Sequence, residues 1–156
     1  MINMAKSKTF DKKTLTKANK AIRTFEEEMC TDGVSQDSIE EIQTLYFDFN
    51  NRFRDRNDNL NQDAKNPLNK PALKTYGHLA YYTAVLETPA LESTGSLSKY
   101  QLIKELYMES FQAYEACNSA IDTKQVNKDM KKLKRDYPEL ESQCKKESQQ
   151  NKGLAR

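Results

Sequence analysis

Apolar residues recur along this chain at alternating steps of three and four. The clearest runs are Leu15, Ala18, Ile22, Phe25 and Met29; Ile39, Ile42, Tyr46, Phe49 and Phe53; and Val126, Met130, Leu133, Tyr137, Leu140 and Cys144. Residues so spaced lie on one stripe of a helix, and the stripe must be buried against another helix. Two further stretches follow the same rule, from Leu73 to Leu86 and from Ile103 to Ile121. The pattern predicts an all-α fold: a single-domain bundle of four to five mostly antiparallel helices spanning residues 1–156, with residues 1–8 and 146–156 frayed.

Boundaries follow from capping chemistry. The first helix should begin near Asp11 and stop near Cys30, where Thr31-Asp32-Gly33 supplies a turn. Asp37 with Glu40 forms a capping box for the second helix, with Ser35 as another possible cap. The short join makes these two an antiparallel hairpin. The polar segment from Asn57 to Lys70 reads as irregular. The third helix should start near Pro71 and end at Pro89, leaving 88–97 as a loop. Ser98 with Gln101 would cap the fourth. Its apolar register slips between Ile121 and Val126, which places a break near Asp122-Thr123 with either residue capping the fifth helix; one long kinked helix is the alternative. Pro138 interrupts the last stripe, but Leu140 and Cys144 keep its phase, so a kink or restart is expected.

Composition agrees with a thin bundle. Apolar residues make up 37% of the chain and charged residues 31%, with only four glycines and four prolines. No run approaches the roughly 18 apolar residues of a membrane span, and residues 1–8 lack a signal-peptide core. The expectation is a cytoplasmic protein without membrane association. A chain whose leader had been removed would read the same, which keeps a secreted or periplasmic bundle as an alternative. Cys30, Cys117 and Cys144 are then either three reduced thiols or include one disulfide, from Cys30 to Cys117 or Cys144.

Charge is unevenly placed. Residues 1–23 carry a balance of +6, residues 24–122 a balance of −9 and residues 123–156 a balance of +5. Lys124, Lys128, Lys131, Lys132 and Arg135 recur at helical steps and form one basic face, able to meet phosphates or an acidic protein surface, or simply water. The arginines after Leu45 interleave with aromatics, as in some single-strand binders. Tyr46, Phe49 and Phe53 nevertheless share the buried stripe, Arg52 lies four residues from Asp48, and Arg54 four from Asp58, so core packing plus intrahelical ion pairs accounts for the pattern. Arg56 continues the stripe. Oxygen side chains alternate from Asp55 to Asp63 as in a calcium loop, but Leu60 stands where that loop needs glycine and Asn66 where it needs glutamate.

His78 is the only histidine. It rules out paired-histidine metal motifs, and with them a di-iron site built on Glu26–Glu28 or Glu40 and Glu41. No phosphate loop, GxSxG or GxGxxG is present. No catalytic residue, metal ligand or cofactor is assigned. Gly77 lies within a helix, at a cost of about 1 kcal/mol relative to alanine, and so marks a close approach of another backbone. Tyr76, Gly77, Tyr81 and Tyr82 form the candidate protein-contact surface, with core burial as the competing role.

The reading that results is a non-enzymatic binding protein, in an adaptor, immunity-type or inhibitor role, whose partner is an unidentified protein. Nucleic-acid backbone binding by the basic face with the basic N-terminus is the alternative, and it needs the two to be neighbours.

Overall fold

The computed structural model describes residues 11–31, 33–53 and 68–154, with side chains as far as residue 146. It contains α1 (Lys12–Met29), α2 (Gln36–Phe53), α3 (Asn69–Thr94), α4 (Leu97–Ala116), α5 (Ala120–Asp136) and α6 (Pro138–Leu154), with no strand among the described residues. The domain is all-α, and the helices number six rather than four or five. The extra one arises at Pro138, which starts α6 after a break at Tyr137. Proline is suited to a first helical position because it has no N–H to leave unpaired there. No helix among the described residues is long and apolar enough to cross a membrane. Arg54, Arg56 and the calcium-like run lie outside the described residues.

Several boundaries match the capping logic and others correct it. The Asp11 carboxylate accepts from the Thr14 N–H at 2.7 Å and caps α1. At α2 the cap is Ser35, whose hydroxyl accepts from the Ser38 N–H. Pro89 does not end α3 but sits inside it, and the helix runs on to Thr94. Leu91, beyond the proline, is fully buried, and Glu87 is held by Lys99 of α4 at 2.6 Å. Tertiary packing there outweighs the lost backbone hydrogen bond. Gly95, at φ 61°, closes α3, and Ser96 rather than Ser98 caps α4 by accepting from the Lys99 N–H. The α4–α5 break falls at Cys117–Ser119, upstream of Asp122. Asn118 adopts the left-handed conformation at φ 61°, and the Ser119 N–H reaches the Tyr114 carbonyl at 2.9 Å. Asparagine tolerates that conformation better than most residues, so it can terminate a helix as glycine does. Ile121 therefore belongs to α5, not to the apolar face of α4, and it is 84% exposed.

The α3–α4 hairpin is the centre of the molecule. Gly77 lies beside Ser110 and Tyr114, while Glu87 lies beside Lys99, so the two helices run antiparallel. Helix α1 runs parallel to α3, with Thr75 bonded to Asn19 at 2.8 Å and Tyr82 bonded to Glu26 one pair of turns later. Helix α2 returns along the other flank of α3. Glu28 ties their connection together by accepting from the Ser35 N–H and the Ser38 hydroxyl. Helix α5 packs against α4, and α6 folds back on the start of α4.

The α6 contact is polar at its heart. Glu141 is buried and accepts from the Tyr100 hydroxyl at 2.6 Å and the Lys104 ammonium at 2.8 Å. Burial pushes its carboxyl up, but these two donors outweigh it and hold the group below its ordinary value of 4.5. A lowered folded value means that the contribution of Glu141 to stability is full above about pH 4.5 and is lost as pH falls through the folded value.

Two predictions follow from this packing. A β-carbon on Gly77 would lie 2.6 Å from the Tyr114 ring. Gly77→Ala should therefore lower stability by about 1–3 kcal/mol in urea unfolding, against the gain of about 1 kcal/mol that helix propensity alone would give. Glu141→Gln should cost about 1–3 kcal/mol, speed amide exchange in α6 first, and flatten the acid limb of the stability–pH curve below pH 4.5.

Candidate functional site

Three consecutive residues of α3, Tyr76 to His78, carry its contacts with α2 and α4. Tyr76 is fully buried and points toward α2. Its hydroxyl donates to Glu109 of α4 at 2.8 Å, and its ring stacks on Phe53 at 5.4 Å. The same Glu109 oxygen accepts from the Tyr46 hydroxyl at 2.6 Å and from the Asn50 amide at 2.9 Å. Burial pushes the Tyr46 phenol far above its ordinary value, so it remains a proton donor. Gly77 faces the Tyr114 ring. His78 meets the Tyr114 hydroxyl through Nδ1 at 2.5 Å. Tyr76 and Gly77 are therefore core residues rather than a contact surface: one is fully buried and bonded to the half-buried Glu109, and the other is covered by an aromatic ring.

Above the Glu109 network, α2 and α4 leave a groove of about 410 Å³ over α3. Phe47 and Leu102 stand on its two rims, 64% and 39% exposed. Its charged lining residues are Glu87, Glu105 and Glu109, with no lysine or arginine among them. Phe47 lies one position off the Tyr46–Phe49–Phe53 stripe, and Leu102 one position off Ile103. A large apolar residue beside a stripe, rather than on it, is the signal that sequence reading passed over.

Tyr81 and Tyr82 are half-buried and line a second cleft, of about 370 Å³, on the opposite side of the hairpin. Glu26 and Met29 of α1, His78 and Tyr114, and Asp122 and Val126 of α5 complete it. The Tyr82 hydroxyl donates to Glu26 and the Tyr81 hydroxyl to Asp129. Burial raises both phenols well above their ordinary values. Burial also lowers His78 below its ordinary value, which favours the neutral ring. Among the described residues no group of three His, Cys, Asp or Glu side chains is arranged to hold a metal ion.

Lys124, Lys128, Lys131, Lys132 and Arg135 are all exposed on the outer face of α5, opposite buried Val126 and Leu133. Arg135 has an exposed contact with Asp136 at 3.6 Å, and Lys132 edges a third cleft of about 270 Å³. The basic stretch of α1 does not lie beside this face. Glu26 and Met29, near the end of α1, share a cleft with Asp122 and Val126, near the start of α5. The two basic segments are thus displaced along the bundle, with carboxylates where they meet.

The cysteines are likewise dispersed and all three are free. Cys117 is at the end of α4, level with Lys74 of α3, and burial raises its thiol. Cys30 ends α1 near the level of Leu86, about 18 Å further along at 1.5 Å per residue. Cys144 lies near Tyr100, at the other end of α4 from Cys117. Bonded cysteines need Cα atoms within about 7 Å.

Comparison with protein families, curated proteins and solved structures produced no match.

Because no two thiols are within bonding reach, titration of unfolded, unreduced monomer should count three free thiols, even for protein made in an oxidising compartment. A count of one would require a different fold.

Proposed function

We propose that this chain is a non-enzymatic binding protein, acting as an adaptor, immunity-type protein or inhibitor, that seats a basic amphipathic segment of a partner protein in the α2/α4 groove. The observation that carries this reading is Phe47. A phenylalanine 64% exposed beside a concave surface, with Leu102 on the facing rim, is unusual for a residue whose burial is worth about 2 kcal/mol. With Glu87 already paired to Lys99, Glu105 and Glu109 give the α4 wall of the groove its charge, which suits lysine or arginine flanking an apolar anchor. An amphipathic helix laid in a groove is a recurrent way to satisfy both requirements. The phosphate-binding alternative has less support, since Lys124–Arg135 and the basic part of α1 do not form one surface.

A photoreactive phenylalanine analogue at position 47 tests the proposal. It should crosslink, in native extract, to a partner peptide with net positive charge, while the same analogue at exposed Ile121 should not. A synthetic copy of that peptide should bind the parent chain with an affinity that falls with salt. Phe47→Asp and Leu102→Asp should each weaken it about thirtyfold, the loss of a central anchor worth about 2 kcal/mol, with circular dichroism unchanged. An acidic crosslinked peptide, equal labelling at positions 47 and 121, or unchanged affinity in both variants would overturn the assignment.

A further inference from the structure

The carboxylate of Glu109 stands between the core and the α2/α4 groove, and its two oxygens are not alike. Oε1 accepts from the Tyr46 hydroxyl at 2.6 Å, the Tyr76 hydroxyl at 2.8 Å and the Asn50 amide at 2.9 Å. A carboxylate oxygen offers two lone pairs, so three donors saturate it. Oε2 receives no bond from any described residue, and Glu109 forms no ion pair among them. Among the described residues, the only fully enclosed side-chain oxygen without a bond is Oε2 of Glu141. Oε2 of Glu109 therefore reaches solvent, and the open space beside this residue is the groove it lines.

This asymmetry decides between the two cations that suit the groove. Arginine owes its advantage at carboxylates to a planar fork that bonds both oxygens at once. With Oε1 filled, the fork meets half of its target. A lysine ammonium is a compact charge whose three donors rotate freely, and one oxygen is enough for it. Selectivity also needs a carboxylate that holds still. Donors from α2 (Tyr46, Asn50) and α3 (Tyr76) fix a side chain of α4, so Glu109 cannot swing to accommodate a different guest. Leu102 precedes Glu109 by two turns of α4, about 10 Å along its axis.

We propose that Glu109 makes the groove selective for lysine over arginine, taking the ammonium of a partner helix on Oε2 about two turns from the apolar residue held by Phe47 and Leu102. Tyr46, Asn50 and Tyr76 are its positioning residues. The inference rests on the groove reading above and adds the identity of the cation. Acetylation of that lysine, which removes the charge, should then release the partner.

A phage-displayed library of helical peptides, encoding lysine and arginine equally, tests this by selection on the immobilised full chain. Enriched peptides should carry an apolar residue with a lysine about two turns away, and should not bind Phe47→Asp. In a synthetic copy, arginine in place of that lysine should weaken binding about fivefold or more, and N-acetyl-lysine about tenfold or more. Glu109→Gln should bring the lysine and arginine peptides within about twofold of each other. Tyr46→Phe, which takes one donor from Oε1, should narrow the gap; Glu105→Gln should weaken both peptides and leave it intact. Each readout is a ratio of two affinities on one protein, so a general loss of stability does not move it. Arginine equal to or better than lysine on the parent chain overturns the selectivity. A gap that survives Glu109→Gln, or that Tyr46→Phe leaves unchanged, overturns the role given to Glu109 and its donors. Failure to enrich any peptide, or equal binding to Phe47→Asp, sinks the groove reading itself and the lysine assignment with it.

Discussion

With no side chain at Gly77, the Tyr114 ring lies where a β-carbon would stand, and the Ser110 hydroxyl donates to the Gly77 carbonyl at 2.8 Å. This close approach of α3 to α4 positions everything around it. Residues adjacent in a helix point about 100° apart, so Tyr76 and His78 leave the contact on opposite sides. Tyr76 draws α2 onto the hairpin through Glu109, and His78, with Tyr114 and Tyr82, forms the floor that α1 and α5 flank. Move the α3–α4 contact outward and both clefts lose their floors together.

Tyrosine–carboxylate bonds recur between the helices. Tyr46 and Tyr76 bond Glu109, joining α2 and α3 to α4. Tyr82 with Glu26 joins α3 to α1, Tyr81 with Asp129 joins α3 to α5, and Tyr100 with Glu141 joins α4 to α6. A chain with 37% apolar residues has a modest hydrophobic supply, and a tyrosine adds both a buried ring and a directed bond. Bonds from a neutral hydroxyl to a charged acceptor contribute about 1.5–3 kcal/mol each. The acidic balance of residues 24–122 is explained in part by this use: Glu26 and Glu109 are acceptors for tyrosine within the bundle. Acid should weaken such bonds as a class, because a protonated carboxyl is a poorer acceptor than a carboxylate.

Local rules carried the fold reading a long way and then stopped for identifiable reasons. The stripes of α1 and α2 are legible because one side of each helix meets the hairpin, and Asp11 and Ser35 act as caps because the chemistry of a cap is local. Pro89 misled because what holds α3 together past it is Leu91 in the core and Lys99 on another helix. Asn118 was passed over because its left-handed conformation is a choice that asparagine permits but does not announce. Gly77 was read as the close approach of another backbone, whereas it is the Tyr114 ring that lies against it, and its neighbour Tyr76 was placed on a surface. Nothing local distinguishes a tyrosine bonded to Glu109, which is 33 residues away, from one that faces water. The rims of the α2/α4 groove were hidden for a similar reason: whether Phe47 is covered depends on how far α4 stands from α2.

The carboxylates of the two clefts differ in what they hold. Oε1 of Glu109 takes three donors from two helices, so that oxygen is saturated from within the bundle. Glu26 receives one hydroxyl from Tyr82, and Asp122 one from Ser119, each at the wall of an open cleft. Six basic residues lie along α5, and its packing turns them outward while Asp122 and Asp129 are half-buried. Asp122 lies in the first turn of α5, where the helix dipole favours a carboxylate, and Glu26 ties α1 to α3 through Tyr82, so both also hold the bundle together.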